Sequence, residues 1–320
     1  LRLLETFQHK GQNALASNNV PDMEVAVRQL DASIEKLIPK RKHVALRENI
    51  EIITVDLAVA FAFRTYFLQP FKIPTSSMAP TLSGIQFLPK QKPDFFDRTP
   101  LKFIKWAILG QSYFEVRSKT YGKVEFAQSN KGLFIVTNGL KHKINHKLSL
   151  HVVEGEYVIK GQLLASGIRR VGDHILVDKL SWRFRHPRRG EITVFKTTDI
   201  EHPQIKKNEY YVKRLIGLPC EEVSINEPFL VINGKKVEKS GGITKIQNKT
   251  PGYSGYLYAG DFLISKDNCV HLQTNQYFVC GDNQRYSFDS RYWGPVPQKN
   301  LVGPALMVYW PFTRHWGPLR

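Results

Sequence analysis

After residue 82 the chain is written in short apolar runs, among them "KGLFIVTNG", "GDHILVDKL", "GEITVFK", "EYYVKRLIGLP" and "QYFVCGDN", each cut off by Gly, Pro, Asn or Asp. Runs of this length, rich in β-branched and aromatic residues and closed by turn formers, read as strands rather than helices. They predict a mainly β, antiparallel domain. With 320 residues, 42% of them apolar and 12% aromatic, the chain has material for a full core, and disorder is excluded as its ground state.

The N-terminal part reads differently. Residues 1–48 are polar and helix-prone, and "MEVAVRQLDASIEKLI" (23–38) repeats apolar residues at helical spacing. The next segment, "IEIITVDLAVAFAFRTYFLQPF" (50–71), is apolar apart from Glu51, Thr54, Asp56, Arg64, Thr65 and Gln69. A bilayer crossing needs about 20 mostly apolar residues, and a central Asp costs roughly 3 kcal/mol on insertion scales. Lys36, Lys40, Arg41, Lys42 and Arg47 crowd its N-terminal side, the pattern of a span whose N-terminus stays in the cytoplasm. A membrane anchor over 49–70 is therefore expected, with a buried amphipathic helix as the competing reading.

A formal charge of +18 calls for an anionic neighbour, either nucleic acid or lipid headgroups. Residues 85–170 hold fifteen Lys and Arg against six Asp and Glu, half of the chain's surplus, and read as a separate basic insertion. Within it "LKFIKWAIL" (101–109) suits either a membrane interface or ordinary helix packing. Three cysteines, Cys220, Cys269 and Cys280, allow at most one disulfide and leave one thiol free. No CxxC pair occurs, so no metal site is expected from cysteine spacing.

Three stretches concentrate chemistry-bearing residues. "FKIPTSSMAPTL" (71–82) places Thr75, Ser76 and Ser77 between prolines that hold the backbone extended or turned, where a hydroxyl is pre-positioned and where a plain turn is also possible. In "NEYYVKRLIGLPCEEV" (208–223), strand alternation sets Lys213 on a face with Tyr211 and Leu215. A lysine in apolar surroundings loses hydration, its pKa falls, and it can serve as a neutral base, whereas an edge-strand lysine simply reaches water. "VCGDNQRYSFDSRYWGPVP" (279–297) packs Asp282, Asn283, Ser287, Asp289 and Arg291 into a turn-rich loop that must satisfy its own polar groups.

Together with "GDHILVDKLSWRFRHPRRGEITVFK" (172–196), these stretches resemble, in order, the signature blocks of the type I signal peptidases, membrane-bound serine proteases that remove signal peptides from exported proteins. The resemblance implies Ser77 as nucleophile and Lys213 as general base, a Ser-Lys variant of triad logic. It implies that Ser287 orients the lysine and that Thr75 joins the backbone N–H of Ser77 in an oxyanion hole. Asp289 and Arg291 resemble the family's bracing ion pair, and Asp282 belongs to the same structural support. Ser76 stands where glycine is frequent and is the fallback nucleophile; Cys220 and Glu221 replace the usual Gly-Asp, and Glu191 the Asp of "RGD".

The implied organisation is a helical cytoplasmic segment over 1–48, an anchor over 49–70, a catalytic β domain from 71–84 and 171–320, and the insertion over 85–170. The implied partners are signal peptides with small residues before the cut and membrane lipids, with no nucleic acid; the implied state is a monomer in the cytoplasmic membrane, its catalytic domain extracytoplasmic. No metal or organic cofactor is implied. From Leu68 to Ser77 is nine residues, which at about 3.3 Å per residue keeps the nucleophile within roughly 30 Å of the anchor's end. Two other readings are a self-cleaving Ser-Lys repressor, which would need a DNA-binding helix-turn-helix in place of residues 50–71, and an inactive membrane-attached binding protein of the same fold.

Overall fold

In the computed structural model the described residues are 6, 9, 12–13, 20–37, 44–129, 132–238 and 240–319. The chain packs as two units, Leu1–Phe61 and Ala62–Arg320. In the first, helix α1 (Val20–Leu37) covers the stretch whose apolar spacing predicts it. Helix α2 (Val44–Tyr66) begins in the first unit and ends in the second. The basic run Lys40, Arg41 and Lys42 lies outside the described residues.

Among the described residues no helix is long and apolar enough to cross a membrane, so the span expected over 49–70 gains no support from the fold. Glu51, Asp56 and Arg64 interrupt the apolar composition of α2. The helix also stops at Tyr66, and residues 68–72 leave it for a sheet as strand β1 (Leu68–Lys72). Its last turn is closed by Lys179, whose ammonium donates to the carbonyl of Thr65 across 2.6 Å, a favourable place for a cation at a helix C-terminus.

The second unit is built on an eight-stranded sheet in which every pairing is antiparallel. Its further strands are β2 (His174–Asp178), β3 (Ile192–Lys196), β4 (Tyr210–Gly217), β5 (Gln276–Cys280), β6 (Val296–Pro297), β7 (Leu301–Trp310) and β8 (Gly317–Pro318). The order across the sheet is β1-β2-β7-β3-β4-β5-β6, with β8 beside β7. β2 alternates partly and fully buried residues, as a strand with one core face must, while the central β3 buries four of its five residues because both faces are covered. Ile73, Met78 and Leu82 join Ile175, Val194 and Val308 in one core cluster, so the segment carrying Ser77 is anchored at both ends by side chains almost wholly removed from water. Each such burial is worth about 1.5–3 kcal/mol.

A second, four-stranded sheet runs Lys235–Lys236, Phe229–Ile232, Glu222–Asn226, Cys269–His271, with Ile216, Phe278 and Cys280 of the main sheet in its core. Residues 86–170 form two further small sheets around Val124, Ile135, Val158 and Leu164. Helix α3 (Leu101–Leu109) lies among these strands in sequence and docks on the end of β7: Trp106 meets Trp310 edge-on at 5.6 Å, and the Trp310 indole donates to the carbonyl of Ala107 across 2.6 Å.

Candidate active site

Strand β4 delivers Lys213 to the interior because both its faces are covered from Lys213 to Gly217. The lysine is 4% exposed, and its Nζ donates to Ser287 Oγ across 3.0 Å. Burial lowers its pKa from 10.5 to about 8; Asp289 and Cys280 oppose that fall, and the Arg291 charge adds to it. The ammonium is thus poised to lose its proton within the ordinary range of pH.

Ser77 and Lys213 line one cavity of about 500 Å³, together with Thr75, Met78, Tyr211 and Phe288. Ser77 is half-buried; its hydroxyl lies 3.5 Å from that of Thr75. Ser76 is exposed and does not line the cavity, and its carbonyl accepts from the amide of Ala79 across 3.0 Å to close the turn. The turn that holds Ser77 is gripped from the far end of the chain. Asn283 donates its amide to the Ser77 carbonyl across 3.0 Å and its carboxamide to the Ser76 carbonyl across 3.1 Å. Gly281 is a glycine of necessity: a Cβ there would stand 2.1 Å from Ser287 Oγ and 2.5 Å from the Ser77 carbonyl oxygen.

Two fully buried ion pairs hold this loop. Arg291 clamps Asp289 through Nε at 2.8 Å and Nη2 at 2.9 Å, and spends its other donors on the carbonyls of Leu257 and Gln284. Burial alone would raise the Asp289 carboxyl, but the Arg291 guanidinium outweighs it and holds the group below its usual range. Asp289 also receives the amide of Gly281 across 2.9 Å and caps the helical turn Ser290–Trp293. The second pair is Arg214 with Asp282, bidentate at 2.8 and 2.6 Å, and Asp282 further accepts from the Thr81 hydroxyl. Thr81 in turn lies 2.9 Å from the Tyr253 hydroxyl. Sequence reasoning named Asp282 but missed Arg214, its partner 68 residues away, because their pairing depends on the approach of β4 to the distant loop.

The departures from the family pattern are explained locally. Cys220 has φ +62°, the left-handed conformation that glycine adopts freely. Glu221 pairs with Arg189, and Glu191 accepts from Arg185, from the Trp182 indole at 3.2 Å and from the Arg188 amide at 2.8 Å.

Residues 150–310 match the family described as "Signal peptidase, peptidase S26". The chain belongs to that family. Signal peptidase I of Leptolyngbya laminosa is 33% identical over 181 residues, 56% of this chain and 80% of that protein. Signal peptidase I V of Bacillus subtilis is 36% identical over 134 residues, 41% of this chain and 72% of the relative. A probable signal peptidase I-2 of Synechocystis is 34% identical over 145 residues; that match spans 45% of this chain and 58% of the relative's length. The family-matched range includes Lys213, Ser287, Asp289 and Arg291, while the Thr75–Ser77 segment precedes it. Membership places the chain among peptide-bond hydrolases of the signal peptidase class.

Proposed function

We propose that this chain removes signal peptides from exported pre-proteins by a Ser-Lys mechanism, with Ser77 as nucleophile and Lys213 as general base. The observation that carries the reading is the burial of Lys213 beside Ser287 in the cavity that Ser77 also lines, with its pKa lowered to about 8. In the neutral form Lys213 takes the Ser77 proton as the hydroxyl attacks the scissile carbonyl, then gives it to the leaving amine. A water activated by the same amine releases the acyl group. Ser287 holds the lysine in place, and the Thr75 hydroxyl with the Ser77 backbone N–H binds the oxyanion. Asp289, Arg291 and Asp282 fix the loop and take no part in the proton transfers.

β1 is an edge strand, and Phe71 and Lys72 at its end line the cavity. An extended substrate adding beside it would present alternate side chains to the cavity, and small residues such as alanine at the first and third positions before the cut would fit against Met78 and Phe288. The membrane supplies the second partner. Phe103, Ile104, Trp106 and Ile108 of α3, with Phe95, Phe96, Phe312 and Trp316, all stand exposed, and Arg98, Lys102 and Arg314 lie among them in sequence. Apolar and cationic groups mixed in this way favour an anionic lipid interface. The enzyme would work there as a monomer on the extracytoplasmic side of the cytoplasmic membrane.

The test is cleavage of a purified precursor carrying an Ala-x-Ala site by the detergent-solubilised protein and its Ser77→Ala, Ser76→Ala and Lys213→Ala variants. Cutting that survives only in the parent and in Ser76→Ala supports the assignment. Cutting retained in Ser77→Ala refutes it.

A further inference from the structure

On the small sheet, away from Lys213 and Ser77, three side chains converge that the peptidase chemistry does not use. Glu222 sits on the strand Glu222–Asn226, and Cys269 and His271 on the neighbouring strand Cys269–His271. Alternation sends Val223 and Val270 into the core and leaves Cys269 and His271 exposed, with Glu222 partly so. Register places Glu222 directly opposite His271. The Cys269 sulfur lies 3.6 Å from His271 Nε2, and that nitrogen lies 3.7 Å from a Glu222 carboxylate oxygen. All three donor atoms fall within 4.8 Å of one another.

A tetrahedral zinc ion, with bonds of about 2.3 Å to sulfur and about 2.0 Å to nitrogen, separates those two ligands by about 3.5 Å. The side chains already stand at that spacing. We propose that Cys269, His271 and Glu222 form a binding site for a zinc-class divalent transition metal, with water in the fourth position. As the sulfur–metal bond forms, the Cys269 thiol gives its proton to solvent, and the imidazole binds in its neutral form through Nε2. The donor set selects the ion: a thiolate with an imidazole suits zinc, cobalt and copper, whereas calcium and magnesium require oxygen ligands throughout.

Spacing arguments based on CxxC and HxxxH pairs pass over this site because it is written in strand geometry. Residues two apart share a face on a strand, and the third ligand comes across the ladder from a distant part of the sequence. The metal would pin an edge strand. Cys269–His271 ends the four-stranded sheet, and Val270 and Leu272 pack with Phe278 and Cys280, whose strand β5 leads into Gly281 and Asn283. Holding that edge stiffens the support behind the loop that grips Ser77.

The test is cobalt titration of the chelator-treated full chain, followed by competition with zinc. The expected result is one equivalent of bound cobalt with a thiolate-to-cobalt charge-transfer band, displaced by zinc, kept in Cys220→Ser and lost in Cys269→Ser. His271→Ala and Glu222→Gln should each weaken binding at least tenfold. These side chains reach solvent, so the variants should fold, which circular dichroism checks. Absence of the band in the parent chain, or a band that survives in Cys269→Ser, overturns the site. Because the readout is metal binding, either outcome is independent of the peptidase assignment.

Discussion

The backbone amide of Asn283 donates to the carbonyl of Ser77 across 3.0 Å, tying together two segments more than 200 residues apart in sequence. Gly281, two residues earlier, has no room for a Cβ against either Ser287 or Ser77. Gly281→Ala should therefore displace the loop and lower kcat/KM by more than about 10²-fold, the scale of a misplaced catalytic group. Its thermal unfolding should show a smaller change, the roughly 1–3 kcal/mol of an overpacked site. Asn283→Ala removes only the contact to Ser76, and about a fivefold loss of activity is expected. Steady-state cleavage of a fluorogenic signal-peptide substrate measures both.

Lys213 sets the pH dependence. The proposed base acts as the neutral amine, so kcat/KM should climb with pH through a limb centred near 8 and level off above it. The stability effect has the same direction. Between pH 8 and 10.5 the unfolded lysine holds a proton that the folded one has lost, so unfolding free energy rises with pH across that window. Below 8 the penalty of burying the ammonium is fully present. Urea unfolding of the parent and of Lys213→Met at both ends of the window should show the extra slope in the parent alone.

Ser287 accepts the hydrogen bond of Lys213 Nζ at 3.0 Å. Ser287→Ala should retain the fold and lose about 10²-fold in kcat with little change in KM, because it affects the position of the base more than substrate contacts. Ser287→Thr, which keeps the hydroxyl, should recover part of that loss. Equal losses in the two variants would count against the orienting role.

The Arg214–Asp282 pair, 1% and 0% exposed at its side chains, has no water to fall back on. Arg214→Met or Asp282→Asn strands one buried charge and should cost about 3–5 kcal/mol. The double variant should cost less than the sum of the two. A denaturant-unfolding double-mutant cycle reads the coupling directly.

For the lipid contact, Ile104→Ser with Trp106→Ser should reduce co-sedimentation with phosphatidylglycerol vesicles by at least tenfold, since each large apolar side chain withdrawn from water contributes about 1.5–3 kcal/mol. Peptide cleavage in detergent should be unchanged. Vesicle binding equal to that of the parent would remove α3 from the proposed interface.

Strand identity was legible because short apolar runs with turn residues at their ends admit little else, and β2, β3, β4 and β5 all lie within the runs that predict them. The convergence of the Ser77 and Lys213 segments on one cavity, and the Lys213–Ser287 contact, were anticipated from the sequence blocks, but the two grips on Ser77, from Asn283 and from Gly281, depend on how far-apart segments approach, which no local pattern encodes. Arg214 went unread for the same reason. Composition did not show that the stretch read as a span over 49–70 changes conformation within itself: the helix stops at Tyr66 and its last apolar residues enter a sheet at β1. At Cys220, by contrast, a departure in sequence became intelligible once its positive φ was known.

The insertion begins and ends at one doorway. Its strand Gln86–Pro89 pairs with Leu163–Arg170, and Gln86 stands opposite Arg170. What lies between leaves and returns at that pair of strands and touches the main sheet again through α3, which leans on the end of β7. Because Gln86–Pro89 and Leu163–Arg170 close on each other, the strand order of the main sheet does not depend on how many residues the segment beyond α3 contains, so changes of length there leave that order intact while changes at α3 reach the end of β7.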